Sequence, residues 1–186
     1  MSAASVLAWL ADHAPDLRLI EHSRSTATVA EAAEVIGVEP GRIAKTLALR
    51  VGEEIMLVVA RGDARLDNAL CKAALGGRPR MLDADATLAA TGHAVGGVCP
   101  FGLASALPII ADRSLLTYPT VFPAAGSRSS SVEVEPQRLA ELIGARWARV
   151  CTLPRLELGS DPQSDRPWLR GNDQGPLPAR TAGLKA

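Results

Sequence analysis

The chain has 186 residues, and its 20 lysines and arginines balance 20 aspartates and glutamates, so the formal net charge is zero. This balance excludes a strongly basic nucleic-acid coat, although it permits a local basic patch. Aromatic residues make up 3% of the chain, which argues against a protein that stacks bases on several exposed rings. Hydrophobic residues make up 47%, enough for a globular core that needs neither a disulfide nor a metal.

The cysteines, the N-terminus and one uncharged stretch limit the other classes of protein. Cys71, Cys99 and Cys151 form no CxxC pair, and the histidines are scattered, so we expect neither a metal nor a cofactor. The first basic residue is Arg18, which argues against a secretory signal. Residues 86–111 carry no charge, but glycines and prolines interrupt them too often for a membrane helix. We therefore expect a cytoplasmic protein with no membrane partner.

The first predicted elements are two helices with a strand between them. Ser5 is the predicted cap of a short helix, and residues 17–20 form a short strand. Thr28 and Glu31 have the spacing of a capping box, which starts a helix that ends before Gly37.

A β-hairpin follows, because two apolar runs at 42–51 and 55–60 are separated by Gly52 and Glu53. The remaining predicted elements are a helix capped by Asp67, a strand at 80–82, a helix opened by Asp83 or Asp85, strands at 108–111 and 120–122, an alternating segment at 131–135, a helix at 136–143 and a strand at 147–153. Hairpins and crossovers are mixed in this order. It predicts a single α/β domain with one mixed, curved, barrel-like sheet surrounded by helices.

The composition changes after residue 153. Prolines punctuate the segment 154–186, which has no apolar period, so we expect a disordered or loosely packed tail. The domain is therefore predicted to span residues 1–153.

Lys45 interrupts the apolar face of a predicted strand. In an extended strand it shares one face with Ile43, Leu47 and Leu49, where the pattern favours an apolar side chain. A buried and unpaired lysine is costly. Lys45 therefore either reaches into a pocket that binds an anion or polar substrate, or lies at a strand end or bulge in solvent.

Two loops could also carry chemistry. In the loop at 91–102, Gly96 and Gly97 permit a close backbone approach to a ligand, and backbone N–H groups there could bind a carbonyl or phosphate oxygen. The small residues and hydroxyls at 124–131 could line a polar pocket. Both segments could instead be ordinary connections, the first between a helix and a buried strand and the second a solvated turn between strands. Cys99 could be a nucleophile beside His93, but an inert buried thiol is the more common role.

These landmarks resemble the YbaK/EbsC family, which includes the editing domain inserted in bacterial prolyl-tRNA synthetases. The matching segments, in order, are 42–47 (RIAKTL), 62–67 (GDARLD), 91–92 (TG), 96–102 (GGVCPFG), 109–112 (IIAD), 125–128 (AGSR) and 134–136 (VEP). The resemblance covers about residues 1–153 and leaves the tail outside it.

The resemblance implies an aminoacyl-tRNA deacylase that removes a wrong amino acid, most often from tRNA(Pro). It implies the acceptor end of tRNA as partner, with a prolyl-tRNA synthetase as a further candidate, and a water-based reaction without a protein nucleophile. The residues it assigns to catalysis are Lys45, Gly96, Gly97, Val98, Cys99 and Pro100. The positions it assigns to substrate binding are Ile20, Thr46, Gly126, Ser127 and Ser131.

Two departures from the family affect the expected substrate. Members specific for cysteine carry a tyrosine near the position of Ile20 and an aspartate near that of Ser131, and Cys99 stands where serine is common. These differences favour alanine or 2-aminobutyrate over cysteine as the amino acid removed. A module that binds the tRNA 3′ end without hydrolysis is the alternative function, and a small-molecule hydrolase or thiol enzyme using Cys99 is a third.

Overall fold

The computed structural model describes residues 3–154. The helices are α1 (Ala3–His13), α2 (Val29–Ile36), α3 (Asn68–Leu75), α4 (Ala84–Thr91) and α5 (Pro136–Leu142). The strands are β1 (Leu19–Glu21), β2 (Ile43–Val51), β3 (Glu54–Arg61), β4 (Arg65–Leu66), β5 (Pro79–Met81), β6 (Ile109–Asp112), β7 (Phe122–Pro123), β8 (Ser130–Val132), β9 (Arg146–Ala148) and β10 (Cys151–Thr152). The predicted tail lies outside the described residues apart from Pro154, and its boundary stays a prediction.

The main sheet has six strands and mixed directions, as the sequence predicts. Its order is β5-β2-β3-β6-β9, and β7 also pairs with β2. β2 and β3 form the predicted antiparallel hairpin, whereas β6 lies parallel to β3 and β9 parallel to β6. The order ends at β5 and β9 without closing, so the barrel-like part of the prediction is not confirmed.

The second edge of β2 is shared by two short strands. β5 pairs with residues 49–51, and β7 pairs with Ile43 and Ala44. Among the described residues no strand covers 45–48 between them. The N–H of Leu82 donates to the carbonyl oxygen of Ala48 at 3.0 Å, so Ala48 directs its carbonyl to this edge. Strand groups alternate with period two, so the backbone N–H and C=O of Thr46 point into the same gap.

Helices pack on both faces of the sheet. Ala48 belongs to the larger core, which α1 and α5 cover. Leu49 and Val51 face the other way and pack with Cys71 of α3. α2 packs over Ile43 at the start of β2. β2 is therefore a central strand with core residues on both faces, and Lys45 lies on the face that α2 and α3 share.

The structure confirms most helix starts and corrects one. Thr28 accepts from the backbone N–H of Glu31 in a complete capping box, and Asp67 caps α3. Of the two candidates for α4, Asp83 is the cap. The first helix begins at Ala3, so the prediction that Ser5 caps it is wrong.

The predicted last strand at 147–153 is wrong, because the chain forms β9 and β10 with a break between them. The carboxylate of Asp112, which is buried, accepts hydrogen bonds from the N–H groups of Val150 at 2.7 Å and Cys151 at 3.0 Å. It also accepts one from Ser114 at 2.9 Å. The chain therefore turns onto a side chain instead of continuing the ladder, and β10 pairs with β4, which the sequence analysis missed.

Candidate functional site

A cavity of about 360 Å³ lies beside the uncovered part of β2. Its walls are residues 26–29 and α2, residues 81–82 at the end of β5, the glycine loop and β8. The volume falls within the range of small-molecule sites. The lining is largely apolar, and Lys45 is the only charged residue among the described residues that form it.

Lys45 lies inside a regular strand pair. It is paired with Ala60 of β3, so the interpretation of Lys45 as a strand end or bulge in solvent is wrong. Its Nζ donates a hydrogen bond to the carbonyl oxygen of Gly62 at 2.9 Å and a second one to that of Ala64. Burial lowers the pKa of Lys45, and the negative charge of nearby groups such as Asp63 opposes this shift. The ammonium has three N–H groups, so one remains for a ligand.

The turn that holds the Lys45 ammonium requires a glycine. A Cβ on Gly62 would lie 2.2 Å from the carbonyl oxygen of Pro40 and 2.7 Å from Cγ1 of Val29. Next to it, Asp63 forms a two-point ion pair with Arg61, with both N–O distances at 2.7 Å. The carbonyl groups that orient Lys45 are therefore held by close packing and by an ion pair.

The two loops that the sequence analysis treated separately are in contact. A Cβ on Gly97 would lie 2.9 Å from the backbone carbon of Ser127, so these backbones touch. Gly96 has φ +91°, which favours glycine, and Arg128 Nε donates to the carbonyl oxygen of Val95 at 3.1 Å. The glycine loop is thus supported by the turn at 126–128.

The predicted site residues fall into two groups. Those that line the cavity are Lys45, Thr46, Gly96, Val98 and Ser131. Those that lie behind it or beside it are the buried Gly97, Cys99, Pro100 and Gly126, the half-buried Ser127 and the exposed Ile20. The hydroxyl of Thr46 is buried and has no hydrogen-bond partner among the described residues.

The strand register places Ile20 and Ser131 on the same face as Lys45. Ile20 is paired with Ser131, which forms a bridge to Ala124. Pro123 of β7 is paired with Ala44 of β2 in a parallel arrangement. Ala124 follows Pro123 and Lys45 follows Ala44, so Ala124 and Lys45 occupy matching positions. Residues at matching positions of paired strands point to the same face. The two positions that differ from the cysteine-specific members therefore lie in one row with Lys45.

Cys99 has the surroundings of a core residue. It is 0% exposed, and burial raises its pKa to about 12. The His93 Nε2 lies 3.6 Å from Cys99 Sγ and 2.8 Å from the carbonyl oxygen of Phe101. Because a carbonyl only accepts, Nε2 carries the proton and cannot remove one from the thiol. These contacts argue against Cys99 as a nucleophile.

One residue near the site was missed by the sequence analysis. His22 lies just after β1, and its Nε2 is 2.8 Å from the Ser131 Oγ. The two residues are 109 positions apart, and a single histidine after a short strand carries no local signal of such a contact.

Comparison with known proteins shows the family of this chain. The family model described as "Aminoacyl-tRNA editing domain" matches residues 23–142. The chain belongs to the aminoacyl-tRNA editing domain family. YwhH of Bacillus subtilis is 47% identical over 133 residues, which are 70% of this chain and 85% of YwhH.

A second relative and a solved structure carry functional names. The Enterococcus faecalis protein named "Putative Cys-tRNA(Pro)/Cys-tRNA(Cys) deacylase EbsC" is 32% identical over 123 residues, which are 64% of this chain and 74% of EbsC. A crystal structure titled "a putative trans-editing enzyme for prolyl tRNA synthetase" has a TM-score of 0.75 and 32% identity, and the match covers 81% of this chain and 96% of that one. The α/β editing-domain fold is thereby shown.

Neither a membrane span nor a metal cluster is found within residues 3–154. No helix in this range is both long and apolar enough to span a membrane. No group of three or more histidine, cysteine, aspartate or glutamate side chains in this range is placed to hold a metal ion.

Proposed function

We propose that this protein is an aminoacyl-tRNA deacylase that hydrolyses the ester of mischarged tRNA. The observation that carries the proposal is a cavity beside the uncovered edge of β2, in which Lys45 is the only charged side chain among the described lining residues. The 3′ end of an aminoacyl-tRNA combines a small amino acid, an ester and nearby phosphates. An apolar cavity with one cation at its wall suits that combination.

The chemistry needs no protein nucleophile. An aminoacyl ester is already reactive, so orientation of the ester and polarisation of its carbonyl lower the barrier for attack by water. Backbone N–H groups of the Gly96–Pro100 loop and the uncovered edge at Thr46 are the donors we assign to the carbonyl oxygen. The free N–H of the Lys45 ammonium is assigned to the 3′ end of the tRNA. We expect a cytoplasmic enzyme, because its substrate is made there.

We further propose a small amino acid on tRNA(Pro) as the substrate. The name of EbsC refers to cysteine, but Ile20 and Ser131 replace the tyrosine and aspartate of cysteine-specific members in the row beside Lys45. Alanine and 2-aminobutyrate therefore precede cysteine as candidates. The acceptor end of tRNA is the partner, and a prolyl-tRNA synthetase is the protein partner to test first.

The test is deacylation of tRNA(Pro) charged with alanine, 2-aminobutyrate, cysteine, serine or, as the cognate control, proline. Wild type and Lys45→Ala are compared, with Lys72→Ala on the exposed side of α3 as the matched control. We expect hydrolysis of alanyl or 2-aminobutyryl ester by wild type and Lys72→Ala. If no ester is hydrolysed although tRNA binds, the protein is the non-hydrolytic binding module instead.

A further inference from the structure

The wall of the cavity contains a hydrogen-bonded pair formed by His22 and Ser131. Ser131 lies in β8, is 3% exposed and lines the cavity. The backbone N–H of His22 donates to the carbonyl oxygen of Ser129 at 2.7 Å, which continues the pairing of β1 with β8. This register brings His22 Nε2 within 2.8 Å of Ser131 Oγ. The imidazole thus holds a buried hydroxyl at the cavity wall.

Most neighbouring hydroxyls are engaged with the protein. Ser130 Oγ donates to the carbonyl oxygen of Ala125 and accepts from Ser127. Thr26 Oγ1 donates to a carbonyl oxygen, and Thr28 Oγ1 caps α2. A serine hydroxyl has one donor and two acceptor sites. One of these three hydrogen-bonding sites of Ser131 is used by His22, so the hydroxyl can still form a hydrogen bond with a ligand.

The lining lacks a group that an aminoacyl ester needs. Every such ester carries an α-amino group, whose N–H donors require acceptors when they leave water. The described lining residues include no aspartate or glutamate, and Lys45 repels an ammonium. The acceptors that remain are neutral oxygens with free lone pairs, namely the backbone carbonyl oxygen of Thr46 at the uncovered edge and the hydroxyl of Ser131. In the tautomer with an unprotonated Nε2, the Ser131 hydroxyl donates a hydrogen bond to His22, and both lone pairs of its oxygen point away from the imidazole.

We propose that the Ser131 hydroxyl accepts a hydrogen bond from the α-amino group of the substrate, and that His22 is the positioning residue that fixes this hydroxyl as an acceptor. The inference rests on the proposed function and names the group of the substrate that the site recognises.

The test uses two adenosine analogues with a stable amide at the 3′ position, one carrying alanine and the other carrying propionate, which lacks the α-amino group. Calorimetry measures the dissociation constant of each for wild type, His22→Ala, Ser131→Ala and the matched control Ser129→Ala. We expect wild type and Ser129→Ala to prefer the alanyl analogue about tenfold, the size of one good hydrogen bond. His22→Ala and Ser131→Ala should lose this preference and bind the propionyl analogue as wild type does.

A second variant at position 22 distinguishes the loss of this hydrogen bond from a loss of folding. His22→Gln keeps an amide oxygen that can accept from the serine, and it should restore part of the preference. Equal affinity of the wild type for both analogues overturns the inference, as does a preference that survives in His22→Ala, or no binding of either analogue. If the wild type prefers the alanyl analogue but hydrolyses no mischarged tRNA, the inference holds and the proposed function fails. If the wild type hydrolyses mischarged tRNA but binds both analogues with equal affinity, the proposed function holds and the inference fails.

Discussion

Replacing Lys45 by alanine removes two interactions that the structure shows and one that the proposed function requires. The ammonium donates to the carbonyl oxygens of Gly62 and Ala64. A hydrogen bond from a charged group contributes about 1.5–3 kcal/mol when both partners are buried. Lys45 is half-buried and water can reach its position, so we expect a total loss of about 2–4 kcal/mol. For a chain of this length that corresponds to a melting temperature lower by roughly 5–15 °C.

The effect of Lys45→Ala on the rate has a separate cause. A fixed donor that stabilises charge developing in the transition state contributes about 100- to 1000-fold to the rate. We expect single-turnover deacylation by Lys45→Ala to be at least about 100-fold slower than wild type at a temperature where both are folded. Urea unfolding of the same samples measures the loss of stability. Lys72→Ala should match the wild type in both measurements.

One result would refute this reasoning. If Lys45→Ala is folded by circular dichroism and hydrolyses the ester within about threefold of the wild-type rate, the ammonium only holds the turn, and its assignment to the tRNA 3′ end fails. If Lys45→Ala does not fold, Lys45→Arg keeps a charged donor for the turn carbonyls. A folded Lys45→Arg with a full rate would show that charge alone suffices.

Three further predictions follow from contacts away from the ammonium. Cys99→Ser should hydrolyse the ester within about threefold of wild type, since a buried thiol with a pKa near 12 is no nucleophile; loss of all activity with the fold intact would contradict this. Gly97→Ala should slow deacylation by about tenfold or more, because its Cβ would lie 2.9 Å from the backbone of Ser127; an unchanged rate would show that the loop has no role in catalysis. Asp112→Asn should lower the free energy of unfolding by about 2–4 kcal/mol, measured in urea, because one amide cannot accept from all three N–H groups; a change below about 0.5 kcal/mol would be inconsistent with this account.

Local patterns in the sequence predict the elements around the site. The capping box at Thr28, the cap at Asp67 and the hairpin of β2 and β3 depend on residues within a few positions of one another. The lysine at position 45 was conspicuous for the same reason, since a strand of period two defines the side chains expected on each face. Each of these features needs only neighbouring residues to be recognised.

Contacts between distant segments were not predictable from these patterns. His22 meets Ser131, and Gly97 meets the backbone of Ser127, only after β1 pairs with β8 and the two loops fold together. The division of the last strand depends on a carboxylate from β6 that competes with the ladder for N–H groups. No periodicity in the sequence records such competition, because the side chain involved lies on another strand.

The short partner strands of β2 explain why a cavity lies beside a central strand. A long partner strand on the second edge of β2 would bond the backbone groups of Thr46 and fill the space next to them. Instead β5 covers only residues 49–51 and β7 covers only Ile43 and Ala44. The uncovered N–H and C=O groups face the cavity at a fixed orientation, so binding a carbonyl there costs little reorganisation. Such a site acts by its backbone geometry, and this suits a reaction on an ester that is reactive before it binds.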